Sequence, residues 1–230
     1  MNANIKTARI VAVFFIIALI LPSVMMKLVD SFLDAPNYLA AISENETQVI
    51  VGALIELVNG ILIAGIGIAM YPILKPHNIS IALWYAGFRI VEFATHVINV
   101  NNTLSLVSLS RESVQAGAPD ADYFQTLGNS LLAGRHWDFL TYALVYCAGA
   151  LMFYYLLYRS KLVPRWISAW GFVAVLLCLT AAILGFFGLS YQSTTYILLA
   201  APIALNELTL SIWLIVKGFN SSASAYGPAK

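Results

Sequence analysis

Six apolar stretches dominate the chain, near residues 8–28, 48–73, 79–106, 131–158, 164–188 and 194–217. Each is at least as long as the ~20 residues an α-helix needs to cross a hydrocarbon layer about 30 Å thick. Within that layer the backbone has no water to bond, so a spanning segment must satisfy its own N–H and C=O groups as a helix. Short polar breaks separate the later stretches: "KPHN" at 75–78, "RSKLVPR" at 159–165 and "GLSYQST" at 188–194. Hydrophobic residues make up 60% of the chain and charged residues 10%, against roughly 25% charged in a soluble domain. The expected fold is all-α: one integral membrane domain over 1–230, built as a bundle of six transmembrane helices with a polar tail at 219–230. The net charge of +1 leaves no electrostatic footprint for nucleic acid. Membrane lipid is the expected surrounding partner.

Lysine and arginine placement sets the expected orientation. Lys6, Arg9, Lys75, Arg159, Lys161, Arg165, Lys217 and Lys230 fall on one side of the spans, and Lys27, Arg111 and Arg135 on the other. The richer side is expected to be cytoplasmic, with both termini there and the chain in the inner (plasma) membrane. Two segments on the other side, 31–47 and 110–130, read either as solvated connectors or as short amphipathic helices resting Phe32, Tyr38, Tyr123 and Phe124 at the interface.

The third stretch carries a polar stripe. Tyr85, Arg89, Glu92, His96 and Asn99 are spaced 4, 3, 4 and 3 apart, which puts all five on one helix face. A charged group in hydrocarbon costs at least about 2.5–3.5 kcal/mol, so this face must meet protein or water. The second stretch offers Glu56 and Asn59 on one face, and the sixth offers Asn206 and Glu207. Counting residues from the span ends sets Glu207 level with Arg89 and Glu56 level with His96. The expected contacts are an Arg89–Glu207 ion pair with Glu92 sharing the arginine, and Glu56 beside His96 with Asn59 and Asn99 as amide neighbours. In "GRHWDF" of the fourth stretch, His136 and Asp138 point to roughly opposite sides. His136 is taken as the site candidate, because Asp138 can reach water. Tyr142 and Tyr146 continue the Asp138 face.

The bland alternative is that these polar groups only fasten helices together, at about 0.6 kcal/mol per contact on average. Small residues in "NGILIAGIGIA" (Gly60/Ala64 and Gly65/Ala69) read as close helix packing. The number of titratable groups favours a site over packing alone. Three carboxyls against one arginine is an acid excess, and a glutamate kept neutral in such a pocket would suit general-acid chemistry.

The stretches "NETQVIVGALIELVNGI", "YAGFRIVE", "GAPDADYFQTLG", "HWDF", "YYLLYRSKLVPRWIS" and "PIALNELTLSIWLIVKGFN" resemble a bacterial membrane family catalogued as a domain of unknown function, number forty-three eighty-six. The resemblance covers nearly the whole chain. It implies a compact helical membrane bundle without a settled activity, and polar positions at Glu56, Asn59, Arg89, Glu92, His136 and Glu207. His96 is less regular in such proteins.

The expected function is an intramembrane acid/base pocket that binds or transforms a small hydrophobic or amphipathic, lipid-soluble ligand. Glu56, Glu92 and His136 are the catalytic candidates. Arg89, Asn59, His96, Asn99, Glu207 and Tyr85 are the binding candidates. The alternatives are a metal site built on Glu92, His96, Glu56 and His136, haem held by His96 and His136, or a proton-coupled transporter or sensor.

Overall fold

The computed structural model describes residues 3–116 and 121–220. Among these residues the structure is helical throughout, with no strand, and six helices are long and apolar enough to cross a membrane. Helix α1 (Ala3–Met25) runs into a π-helical turn (Met26–Asp30), then α2 (Ser31–Leu33) and α3 (Tyr38–Glu44). The remaining five spans are α4 (Glu46–Leu74), α5 (Ile79–Ala116), α6 (Ala121–Ser160), α7 (Arg165–Phe186) and α8 (Thr194–Val216).

Local chemistry fixes the ends of these helices. Asn78 Oδ1 accepts from Ile81 N at 3.0 Å at the start of α5, and Ser193 Oγ accepts from Tyr196 N at 3.2 Å at the start of α8. Each satisfies an N–H that the first turn cannot pair internally. Pro164, extended at φ −52° and ψ 135°, precedes α7. Gly188, at φ 101°, follows α7 in a conformation that suits only glycine well.

The six spans form a closed ring in chain order. Each packs mainly on its sequence neighbours, and α8 closes on α1. Gly218 lies beside Ile5, so both ends of the ring of spans meet at one side. Six cylinders of roughly 10–12 Å diameter in a ring leave a central space about as wide as a seventh. At the end bearing the termini, side chains fill that space. Phe153 of α6 stacks on Tyr85 of α5 at 4.9 Å and lies 6.1 Å from Phe15 of α1. Ile66, Met70 and Tyr154 complete the plug.

The far end differs from the expected connectors. Residues 110–116 and 121–130 continue α5 and α6 as helix; residues 117–120 of the expected loop lie outside the described residues. Apolar packing explains the extension: Leu106, Val107, Leu109 and Phe124 bury against Val29, Leu33, Tyr38, Leu39 and Ile42. Tyr38 and Phe124 are therefore core residues, not interface anchors, while Tyr123 is 63% exposed. The Tyr38 hydroxyl donates to Asn129 Oδ1 at 3.1 Å and to Gln125 O at 3.3 Å. Burial pushes this phenol above its usual range, so it stays a donor. Gly128 permits that contact, because a Cβ there would strike the Tyr38 ring and hydroxyl. Gly128→Val is expected to release α3 from α6 and to speed amide exchange across 38–44. Gly87→Ala, where the added methyl meets open space, is expected to leave that exchange unchanged.

Candidate functional site

Above the aromatic plug the central space stays open as a cavity of about 470 Å³, within the range of small-ligand pockets. All six spans line it. Helix α1 gives an apolar wall through Phe15, Ala18, Leu19 and Pro22, and α6 and α8 give an aromatic wall through Phe139, Tyr142, Tyr146 and Tyr196. Between them α4 and α5 present Glu56, Asn59, Arg89, Glu92, His96 and Asn99. Glu207 and Asp138 complete the polar lining from α8 and α6.

Arg89 and Glu92, 3% and 1% exposed, form one unit. Arg89 Nη1 donates to both Glu92 carboxylate oxygens at 3.1 Å. Arg89 Nε donates to the Tyr85 hydroxyl at 3.3 Å. The guanidinium carbon sits 5.4 Å from the Tyr146 ring, 5.5 Å from Tyr85 and 5.8 Å from Phe15, a cage that favours a cation electrostatically. The expected Arg89–Glu207 pair is thus replaced. Glu92 lies one turn along the same helix, so it reaches the arginine without any alignment between helices. Glu207 instead accepts from the Tyr146 hydroxyl at 2.7 Å. Asn206, next in sequence, faces away and donates to Ile167 O of α7 at 2.9 Å.

The second polar unit is placed as depth counting predicts. His96 Nδ1 lies 3.5 Å from Glu56 Oε1, and Asn99 Nδ2 donates to the same oxygen at 2.5 Å. Three atoms in this region are buried without a hydrogen-bond partner among the described residues: Asn59 Oδ1, Asn99 Oδ1 and His96 Nε2.

Two expected site residues are not in the cavity. Tyr85 is fully buried beneath it, where it positions Arg89 by hydrogen bond and ring contact. His136 packs against Trp137 and Tyr191, with ring centroids 5.4 and 5.8 Å away. Two residues on, and about 200° around the helix, Asp138 takes the lining position and accepts from Asn102 Nδ2 at 2.6 Å. The haem alternative needed His136 beside His96, and the metal alternative had His136 and Glu56 completing a set begun by Glu92 and His96; His96 lines the cavity and His136 does not. Among the described residues, no three of His, Cys, Asp and Glu are grouped to hold one metal ion. Sequence reasoning also missed the contribution of α1, whose lining residues carry no polar signal.

Two glycines bring the polar face of α5 close to α4. A Cβ on Gly67 would lie 2.6 Å from Arg89 Cβ, and one on Gly60 would lie 3.0 Å from His96 Cβ. These small positions are a heptad apart on one face of α4, which lets α5 approach closely. Gly65 faces α1 instead, at Phe14.

A closed ring of apolar helices around a polar interior defines a multi-pass membrane protein. The chain belongs to the family of the domain of unknown function DUF4386, whose model matches residues 10–218. No curated protein and no solved structure matches it.

Proposed function

We propose that this chain is a bacterial inner-membrane protein, with both termini cytoplasmic, whose intramembrane cavity binds or transforms a small lipid-soluble ligand. The observation that carries this reading is Asn59. It is 5% exposed, it lines the cavity, and its Oδ1 has no hydrogen-bond partner among the described residues. A buried amide oxygen without a donor costs about 1–3 kcal/mol, so Asn59 calls for a donor from the cavity side. Glu56 and Glu92 are the acid/base candidates of the reading. Arg89, locked by Glu92 and three rings, gives the cavity floor its fixed charge. His136 takes no part. The orientation rests on the eight-to-three excess of lysine and arginine at the end bearing the termini.

The test is photolabelling with a diazirine derivative of octanol in phosphatidylcholine nanodiscs, read by peptide mass spectrometry. Labelling of Tyr142, Tyr146 and Tyr196 is expected to saturate, to be competed by plain octanol, and to fall in Ala18→Phe, which fills the cavity from α1. Labelling that never saturates and spreads evenly over lipid-facing positions such as Val58, Ile61 and Ile68 would overturn the reading.

A further inference from the structure

We infer that the ligand is an organic ammonium cation: a protonated amine carrying an apolar tail. This rests on the cavity being a ligand site, and it follows from the balance of donors and acceptors on the cavity wall. Four carboxyls line the cavity, those of Glu56, Glu92, Glu207 and Asp138, against a single guanidinium. Only Glu92 is matched by that guanidinium. Glu207 and Asp138 hold neutral donors, from Tyr146 and Asn102.

The acceptor surplus is concentrated at Glu56. Asn99 turns its NH₂ to the Glu56 carboxylate, which leaves its Oδ1 without a partner among the described residues. His96 turns Nδ1 toward the same carboxylate, which leaves Nε2 likewise. Asn59, one turn from Glu56, is the deeply buried member, and its Oδ1 is a second amide oxygen without a partner among the described residues. A primary ammonium brings three N–H donors and one positive charge, which suits a carboxylate flanked by amide oxygens. Facing this corner, the Tyr142 ring lies 5.0 Å from the His96 ring and 6.3 Å from the Tyr146 ring. Aromatic faces attract organic cations in desolvated sites. The α1 wall of Phe15, Ala18 and Leu19 would take the tail.

An anionic ligand fits poorly. Arg89 is the one guanidinium in the lining, and its Nη1 and Nε are already engaged. An anion at the remaining Nη2 would sit beside Glu92 and among three more carboxyls. A neutral alcohol brings one donor where a primary ammonium brings three.

The photolabelling assay separates these cases. Octylammonium, octanol and octanoate share one chain length, and each competes against the diazirine octanol in zwitterionic nanodiscs. Octylammonium is expected to compete at least about tenfold better than octanol, the scale of one charge-assisted hydrogen bond, with octanoate weakest. In Glu56→Gln, the ratio of octylammonium to octanol competition is expected to fall toward one. Asn59→Leu gives the same readout should Glu56→Gln fail to fold. Equal competition by all three, or octanoate strongest, would overturn the cation while leaving a ligand cavity in place. Absence of any saturable labelling would remove both.

Discussion

Arg89→Met is expected to destabilise the fold by about 3–5 kcal/mol, the usual cost of stranding one member of a buried ion pair. Glu92 would be left 1% exposed without the Nη1 donor that serves both its oxygens. Two neighbouring hydroxyls are already engaged elsewhere. Thr95 Oγ1 bonds the Glu92 backbone carbonyl, not the carboxylate, and Tyr146 already serves Glu207. The Tyr85 hydroxyl would lose its donor from Arg89 Nε as well. Arg89→Met with Glu92→Met is expected to recover most of the loss, because buried pairs replaced by apolar groups of similar size are often neutral or better. Reversible unfolding by steric trapping in bicelles measures both. If the double variant is as unstable as the single one, the pair contributes more than mutual neutralisation.

The second large effect is expected at Gly67. Its missing side chain lets Arg89 Cβ and Cγ approach, and a Cβ there would meet them at 2.6 and 3.1 Å. Arg89 Cβ is fixed to the backbone, so α4 and α5 must part to make room. Gly67→Ala is expected to cost about 1–3 kcal/mol, as for other forced overpacking, and Gly67→Val more. The shift should also lift Arg89 from the Phe15 and Tyr146 rings of α1 and α6, while Tyr85, one turn away on α5 itself, moves with it. Gly65→Ala is the comparison. Its nearest obstacle is the Phe14 ring edge at 3.1 Å, a side-chain end that can rotate, so a much smaller loss is expected in the same unfolding assay.

Length and period made the spans and the polar face of α5 readable. An apolar run of spanning length has few other folds open to it, and the 4-3-4-3 spacing fixes which way Arg89, Glu92, His96 and Asn99 point. Depth along a helix was equally readable, which is why Glu56 and His96 meet. Rotation of one helix against another was not. Arg89 and Glu207 share a level, yet the arginine takes the partner on its own helix. The rotation of α6 likewise puts Asp138, not His136, on the cavity wall. The sequence favoured His136 because Asp138, near the end of its span, could reach water. Asn102, three residues on from Asn99, holds Asp138 there, a contact across two helices that no spacing within one helix gives. The part played by α1 was not legible at all. Phe15 and Ala18 look like any lipid-facing residues until the ring brings them inside.

That ring is closed by the first and last spans, and this dictates when the interior can exist. A membrane chain is handed to the bilayer from its N-terminus onward. Until α8 arrives, α1 and α7 have a gap between them, Tyr146 lacks Glu207, and the Ile167 carbonyl lacks Asn206. A nascent chain stopped before residue 194 would hold its arginine and glutamate pair in a trough open to lipid. Helix α8 acts as a keystone, and the compartment is complete only once it is in place.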